Sequence, residues 1–288
     1  MSILVDKNTR VLVHGITGLQ ASFHTKRMQA VGTNIVAGVS THSAGTMHLG
    51  VPVFASAQEA VLKTRANASL LFVPAQNVKA AVKEALEAGI KLIVSIAYGV
   101  PIFDVMEMQK MIKDHDAVLI GPNTPGIITP GEACLGVFPE NIHRKGCIGI
   151  VSRSSTLTYE AVLETNRAGL GQSTVLGIGD DMIAGCHFDK VIDLFCRDEK
   201  TKAIVLIGAL GGTYEEEAAA FYQKIQNKKP LITYITGFGN DNEDIGYASD
   251  ILTHGKTTIE DKKNLFQKAG AIVIESIDDL SNILKQIK

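Results

Sequence analysis

The residues best suited to chemistry lie in one run, Gly149-Ile150-Val151-Ser152-Arg153-Ser154-Ser155-Thr156-Leu157-Thr158-Tyr159-Glu160-Ala161. An apolar strand breaks here into hydroxyl-bearing residues and resumes as a helix. Free backbone N–H groups and the positive end of a helix dipole then meet, and together they make a seat for an anion, most often phosphate. Ser154, Ser155 and Thr156 are each able to cap that helix, with Glu160 early in it. An ordinary capped helix of an α/β domain accounts for the same residues, so both readings stand at this point. A second candidate lies near the N-terminus, where Val11-Leu12-Val13-His14 runs into Gly15-Ile16-Thr17-Gly18-Leu19-Gln20. Glycines let backbone come close to a ligand phosphate at a helix start. The spacing Gly15-x-x-Gly18 is shorter than the GxGxxG of dinucleotide folds, so the standard NAD fingerprint is absent.

Turns of this kind have to be held by regular elements. The chain supplies them as a repeated strand-then-helix alternation. Apolar strands are predicted at 34–39, 51–54, 69–74, 92–96 and 118–121, with helices at 57–63, 78–88 and 103–115 between them. The second half repeats the pattern, with strands at 148–151, 174–178, 203–207, 230–235 and 271–274 and helices at 188–197 and 215–225. A last helix starts at Ile277. Such alternation implies parallel sheets covered on both faces, with ligands beyond the carboxyl ends of the strands. The loops at 15–20, 40–45, 74–77 and 96–98 should therefore converge on one site. Residues 121–131 are dense in proline and glycine but interleaved with apolar residues, and read as an ordered crossover.

The 288 residues suggest about two domains, and 45% hydrophobic content is ample for two cores. No apolar run approaches the roughly 20 residues needed to cross a bilayer, and the first residues have no long apolar leader, so no signal peptide is expected. A net charge of −2 with 6% aromatics gives no nucleic-acid surface. Cys134, Cys147, Cys186 and Cys196 form no CxxC pair and read as reduced thiols of a cytoplasmic or organellar-matrix protein. No histidine stands at a ligand spacing to cysteine, so no metal site is expected.

Specific motifs narrow this further. They are Gly15-Ile16-Thr17-Gly18, His48-Leu49-Gly50-Val51-Pro52-Val53, Phe72-Val73-Pro74-Ala75 and Gly121-Pro122-Asn123, followed by Pro125-Gly126-Ile127-Ile128-Thr129-Pro130-Gly131-Glu132. Gly149 to Ala161, and Gly208-x-x-Gly211-Gly212 with Glu215-Glu216-Glu217-Ala218-Ala219-Ala220, complete the set. Through them the chain resembles the α subunit of succinyl-CoA synthetase, a nucleoside-diphosphate-forming succinate–CoA ligase of the tricarboxylic acid cycle, over nearly its whole length. The resemblance implies an α/β protein in three parts. A Rossmann-like CoA-binding domain would span 1–121, a crossover 122–145, and a flavodoxin-like doubly wound ligase domain 146–288. It implies a nucleotide-binding β-type partner, in a heterodimer or heterotetramer, and CoA as cofactor. It places Gly15, Thr17, Gly18, Leu19, Gln20, Val39, Ser43, Pro74, Ile96, Ala97 and Tyr98 at the CoA site, with Asn123 and Pro125 at its thiol end. Ser154, Ser155 and Thr156 would hold phosphate, and Tyr159 matches a tyrosine at the acid site and subunit contact. A plain turn explains Asn123 and Pro125 equally, and an amphipathic helix position explains Tyr159.

Departures from the family cluster at catalytic positions. In the family, a histidine in a Gly-His-Ala-Gly segment carries phosphate, oriented by a glutamate in Gly-Glu-Ile-Gly-Gly. Here those positions are Tyr247 and Ala209. A phenol titrates near pH 10 and its phosphate ester is a different carrier from a phosphoimidazole. The preceding loop, 237–245, is acidic where the family has lysines, Thr124 replaces a cysteine, and Ser155 replaces a glycine. On the CoA side, Ser43 stands for a lysine and Tyr98 for an acidic residue. The expectation is an α-like subunit that binds CoA or an acyl-CoA and lacks the phosphohistidine step. Two alternatives are an active subunit with rearranged chemistry, using Tyr247 or His254, and a non-catalytic assembly or regulatory subunit. Carrier and orienter act as a unit, which weighs against the first alternative. The kept Gly15–Gly18 loop and Pro74 weigh against the second.

Overall fold

A computed structural model describes residues 2–237 and 258–287. Tyr247 and His254 lie outside the described residues. The chain forms two compact units, Leu4–Glu140 with Ile178–Cys186, and Met1–Ile3 with Asn141–Gly177 and His187–Lys288. A cut in the sequence near residue 145 therefore separates the 178–186 segment from the unit with which it folds. Backbone bonds from Gly121 N to Ile178 O (3.2 Å) and from Gly185 N to Gly121 O (2.8 Å) hold it there.

The first unit is built on seven strands: β1 (Arg10–His14), β2 (Asn34–Val39), β3 (Met47–His48), β4 (Val51–Phe54), β5 (Ala68–Leu71), β6 (Leu92–Ser95) and β7 (Val118–Ile120). Their order is β3-β4-β2-β1-β5-β6-β7, parallel except for the short β3/β4 hairpin. The order reverses between β1 and β5, so this is the Rossmann-like arrangement the sequence implies. All four residues of β5 and of β6 are buried, because helices cover both faces of the sheet. Leu12, Leu71, Val82, Ile93, Met108 and Leu119 form its core. Beyond β7, the glycine-rich crossover contains a hairpin, β8 (Gly126–Thr129) against β9 (Ala133–Gly136), where the sequence showed only turn residues. Gly126 faces Gly136 there, and a Cβ on Gly126 would lie 2.0 Å from Leu135 O, so the glycines serve close pairing rather than a turn.

The second unit contains β10 (Lys145–Ser152), β11 (Gln172–Gly177), β12 (Ala203–Ala209), β13 (Leu231–Thr236) and β14 (Ile272–Val273). Among themselves they run parallel in the order β14-β13-β12-β10-β11, the flavodoxin-like domain expected. The helix Phe188–Arg197 buries Phe188, Val191, Ile192 and Phe195 on one face. Phe195 lies where a Cβ on Gly149 of β10 would be, 2.6 Å from its ring, so that glycine brings helix and strand together. A helix that the sequence reading missed, Ile259–Lys268, opens with a capping box between Thr258 and Asp261. Among the described residues, no helix is long and apolar enough to cross a membrane.

Candidate functional site

In the first unit, every residue expected at the CoA site falls at the carboxyl edge of one sheet. Gly15, Thr17, Gly18, Leu19 and Gln20 follow β1, Val39 ends β2, and Ser43 lies in the 3-10 turn Thr41–Ser43 after it. Pro74 follows β5, while Ile96, Ala97 and Tyr98 follow β6, and Asn123 and Pro125 follow β7. Neighbouring loops are tied together. Gly15 N donates to Val39 O (2.9 Å), Phe72 N to His14 O (3.1 Å) and Asn123 N to Ala97 O (2.9 Å). At the switch point between β1 and β5 the backbone leaves no room for a side chain. Gly15 has φ +72°, and a Cβ on it would lie 2.3 Å from Phe72 O. Gly18 caps the helix Leu19–Ala30 without a side chain, which leaves the helix start accessible. Thr17, Leu19 and Gln20 are exposed beside it. This bare, dipole-positive backbone suits an anionic group such as a phosphate.

Beneath that turn lies a polar group that pattern reading did not single out. His14 is buried in β1, its Nδ1 2.9 Å from Ser69 Oγ and its Nε2 3.6 Å from Glu84 Oε2. Glu84 also accepts from Ala57 N at 2.7 Å. The imidazole, foremost, and the Ala57 N–H hold the Glu84 carboxyl below its usual range, against the opposing effect of burial. A carboxylate with a lowered folded pKa contributes stability above its unfolded pKa of about 4.3 and loses it as pH falls through the folded value. Glu84→Gln should therefore flatten the acid limb of stability below about pH 5. Because the carboxylate is partly exposed, the effect is about 0.5 kcal/mol after screening. Urea midpoints compared at pH 7 and pH 3 check this, and parallel acid limbs in both proteins would contradict it.

In the second unit the opening motif resolves as a capped helix with an open first turn. Ser154 is the N-cap of helix Ser155–Arg167, its side chain accepting from Leu157 N at 3.3 Å. Ser155 and Thr156 are exposed, and their N–H groups have no partner among the described residues. Helix Tyr214–Lys224 starts at the same sheet edge, since Ser152 of β10 is in register with Ile207 of β12. Tyr159 lies half-buried on the first of these helices. Ala209 is the last residue of β12 and supplies no carboxylate.

What replaces a free carboxylate beneath this edge is a buried charge cluster. Glu215 accepts from Ala209 N (2.9 Å) and pairs with Lys262 Nζ (2.7 Å) and Arg153 Nη1 (3.4 Å). Lys262 also donates to Ala209 O (3.1 Å) and Gly212 O (3.0 Å), and Arg153 Nη1 donates to Gly211 O. Three carbonyls of the 209–212 loop thus turn inward onto cations. Glu215 and Lys262 are fully buried. The sequence holds one hint of Lys262, the capping box before it, and none that Glu215 is its partner. Among the described residues, no group of three or more His, Cys, Asp or Glu side chains could hold a metal ion.

Comparison with known proteins shows the family of the chain. The CoA binding domain family matches residues 6–99 and the CoA-ligase family matches residues 151–273. The succinate–CoA ligase [ADP-forming] subunit alpha of Aquifex aeolicus is 46% identical over 295 residues, covering 100% of this chain and 96% of that protein. Subunit alpha 2 of the same enzyme from Archaeoglobus fulgidus is 46% identical over 288 residues, covering 100% of both chains. ATP citrate lyase from Methanothrix soehngenii, solved with citrate and coenzyme A, superposes with a TM-score of 0.89 at 27% identity. That match covers 99% of this chain and 50% of the larger lyase chain.

Proposed function

The chain belongs to the family of succinate–CoA ligase alpha subunits, and from that premise we propose that it binds CoA or an acyl-CoA beside a β-type subunit without itself carrying phosphate. The carrying observation is the contrast between its two sheet edges. At the first, the Gly15 turn keeps the bare backbone that a CoA phosphate end requires. At the second, Ala209 leaves the loop without an orienting carboxylate, and Glu215, which accepts from the Ala209 N–H, is consumed by Lys262 and Arg153. Tyr247 stands in the sequence where a histidine would accept phosphate. A phosphoryl carrier needs a nucleophilic imidazole and an acceptor to orient it, and neither is supplied at these positions. CoA would supply the thiol that becomes the thioester. This chain's part is to bind and orient it. A cytoplasmic or matrix setting, with four free cysteines, belongs to the same reading.

Labelled nucleoside triphosphate, added to the chain together with any co-purifying β-type subunit, should leave no phosphoryl group on this chain. A phosphopeptide containing Tyr247 or His254 would overturn that and favour a rearranged active subunit. Calorimetric titration should show CoA binding. Failure to bind CoA or acyl-CoA at millimolar concentration would favour an assembly subunit. Succinate, the acid named for the relatives, is the first to test on the reconstituted complex.

A further inference from the structure

Asn123 sits in the turn after β7 in a left-handed backbone conformation, φ +56°. Three bonds fix it. Its N–H donates to Ala97 O (2.9 Å), its carbonyl accepts from Asp180 N (3.2 Å), and its side-chain Nδ2 donates to Asp181 Oδ1 (2.9 Å). Asp181 lies 58 positions away in sequence, in the segment that rejoins the first unit. A primary amide held by its nitrogen must present its oxygen elsewhere. Asn123 Oδ1 has no hydrogen-bond partner among the described residues. The amide assignment follows from chemistry, since an ionised carboxylate only accepts and so selects the NH2 face.

Charge decides which end of CoA meets this turn. CoA has a phosphate-rich end and a neutral thiol end. The acidic pair Asp180-Asp181 repels the former, whereas the Gly15 turn and helix start, three strands away at β1, attract it. Strand spacing puts the two turns about 14 Å apart along the sheet edge. Burial raises the Asp181 carboxyl above its usual range, and its bond to Asn123 works against that rise. A partly buried acid beside the turn also disfavours a thiolate.

We propose that Asp181 is a positioning residue for CoA: it turns the Asn123 amide so that Oδ1 accepts the S–H of the neutral thiol. The inference rests on the CoA-binding reading above and names the residues that recognise the thiol. It implies that the site distinguishes free CoA from analogues without a thiol hydrogen.

Isothermal titration of the full chain with CoA and with desulfo-CoA tests it. The wild-type protein should bind CoA roughly fivefold more tightly than desulfo-CoA, the size expected of one weak hydrogen bond. Asp181→Ala should abolish that ratio. Asp181→Asn, whose amide oxygen can still accept from Nδ2, should keep it. Asn123→Gly, which tolerates the positive φ, should also lose it. Equal affinities for the two ligands in the wild-type protein would overturn the inference while leaving CoA binding intact. So would an unchanged ratio in Asp181→Ala. Binding of neither ligand would overturn the CoA reading together with this one. A purely structural role for Asp181 would lower both affinities alike and leave the ratio in place.

Discussion

Lys262→Met should destabilise the second unit by about 3–5 kcal/mol, the usual consequence of removing one partner from a buried ion pair. An ammonium has three donors, and Lys262 uses them on Glu215 Oε2, Ala209 O and Gly212 O, at 2.7, 3.1 and 3.0 Å. Methionine fills similar space and donates nothing. Glu215, fully buried, would keep only Arg153 at 3.4 Å and the Ala209 N–H at 2.9 Å. Two loop carbonyls would also lose a donor, and each lost buried bond adds about 1 kcal/mol or more. Glu216, 3.5 Å from Lys262 and less buried, offers no substitute because its charge has the same sign as that of Glu215. The companion Glu215→Gln leaves Lys262 and Arg153 as two buried cations without their shared carboxylate. The double variant Glu215→Gln/Lys262→Met should fall short of the sum of the singles by about 1–3 kcal/mol, since each single strands the other's charge. Urea midpoints at constant slope provide the measurement. Additive effects, or a Lys262→Met variant within 1 kcal/mol of the wild-type protein, would show that the pair is not coupled as its geometry requires.

That cluster also shows where sequence reading stops. Strands β2 and β4 and the helix Phe188–Arg197 were legible to the residue, because continuous apolar runs and a 3.6-residue period are local signals. The helix Ile259–Lys268 was missed because it buries only Lys262 and Phe266, and a lysine reads as a surface residue. Its Thr258–Asp261 capping box was the available clue. The β8/β9 hairpin was hidden because Gly126 and Gly136 look like turn residues until their mutual approach is seen. Motifs located the loops of the first site. Hydrogen bonds such as Asn123 to Asp181 and His14 to Ser69, and the approach of His14 to Glu84, join distant positions and leave no periodic trace. Local chemistry marked the candidate loops, and tertiary packing determined which side chains support them.

Gly15→Ala should lower stability by about 2–3 kcal/mol and weaken CoA binding by at least about tenfold, beyond what its backbone angle alone explains. Two effects act at this position. Its φ of +72° disfavours any L side chain, a penalty of about 1 kcal/mol for alanine. Its Cβ would also lie 2.3 Å from Phe72 O, an atom of the backbone that a rotamer change cannot move. Phe72 N is bonded to His14 O at 3.1 Å, so relief requires parting the ends of β1 and β5 at the switch point. That movement displaces the turn leading to Gly18 and the helix start, where the phosphates of CoA are proposed to rest. Gly32→Ala separates the two effects. Gly32 has φ +88°, and nothing lies within 4 Å of its Cβ position. It should therefore show the backbone penalty alone, about 1 kcal/mol, with CoA affinity unchanged. Urea unfolding and calorimetric titration of both variants measure the difference. If Gly15→Ala matches Gly32→Ala in both, the close approach of β1 to β5 does not shape the ligand turn, and the case for Gly15 as the centre of the site fails.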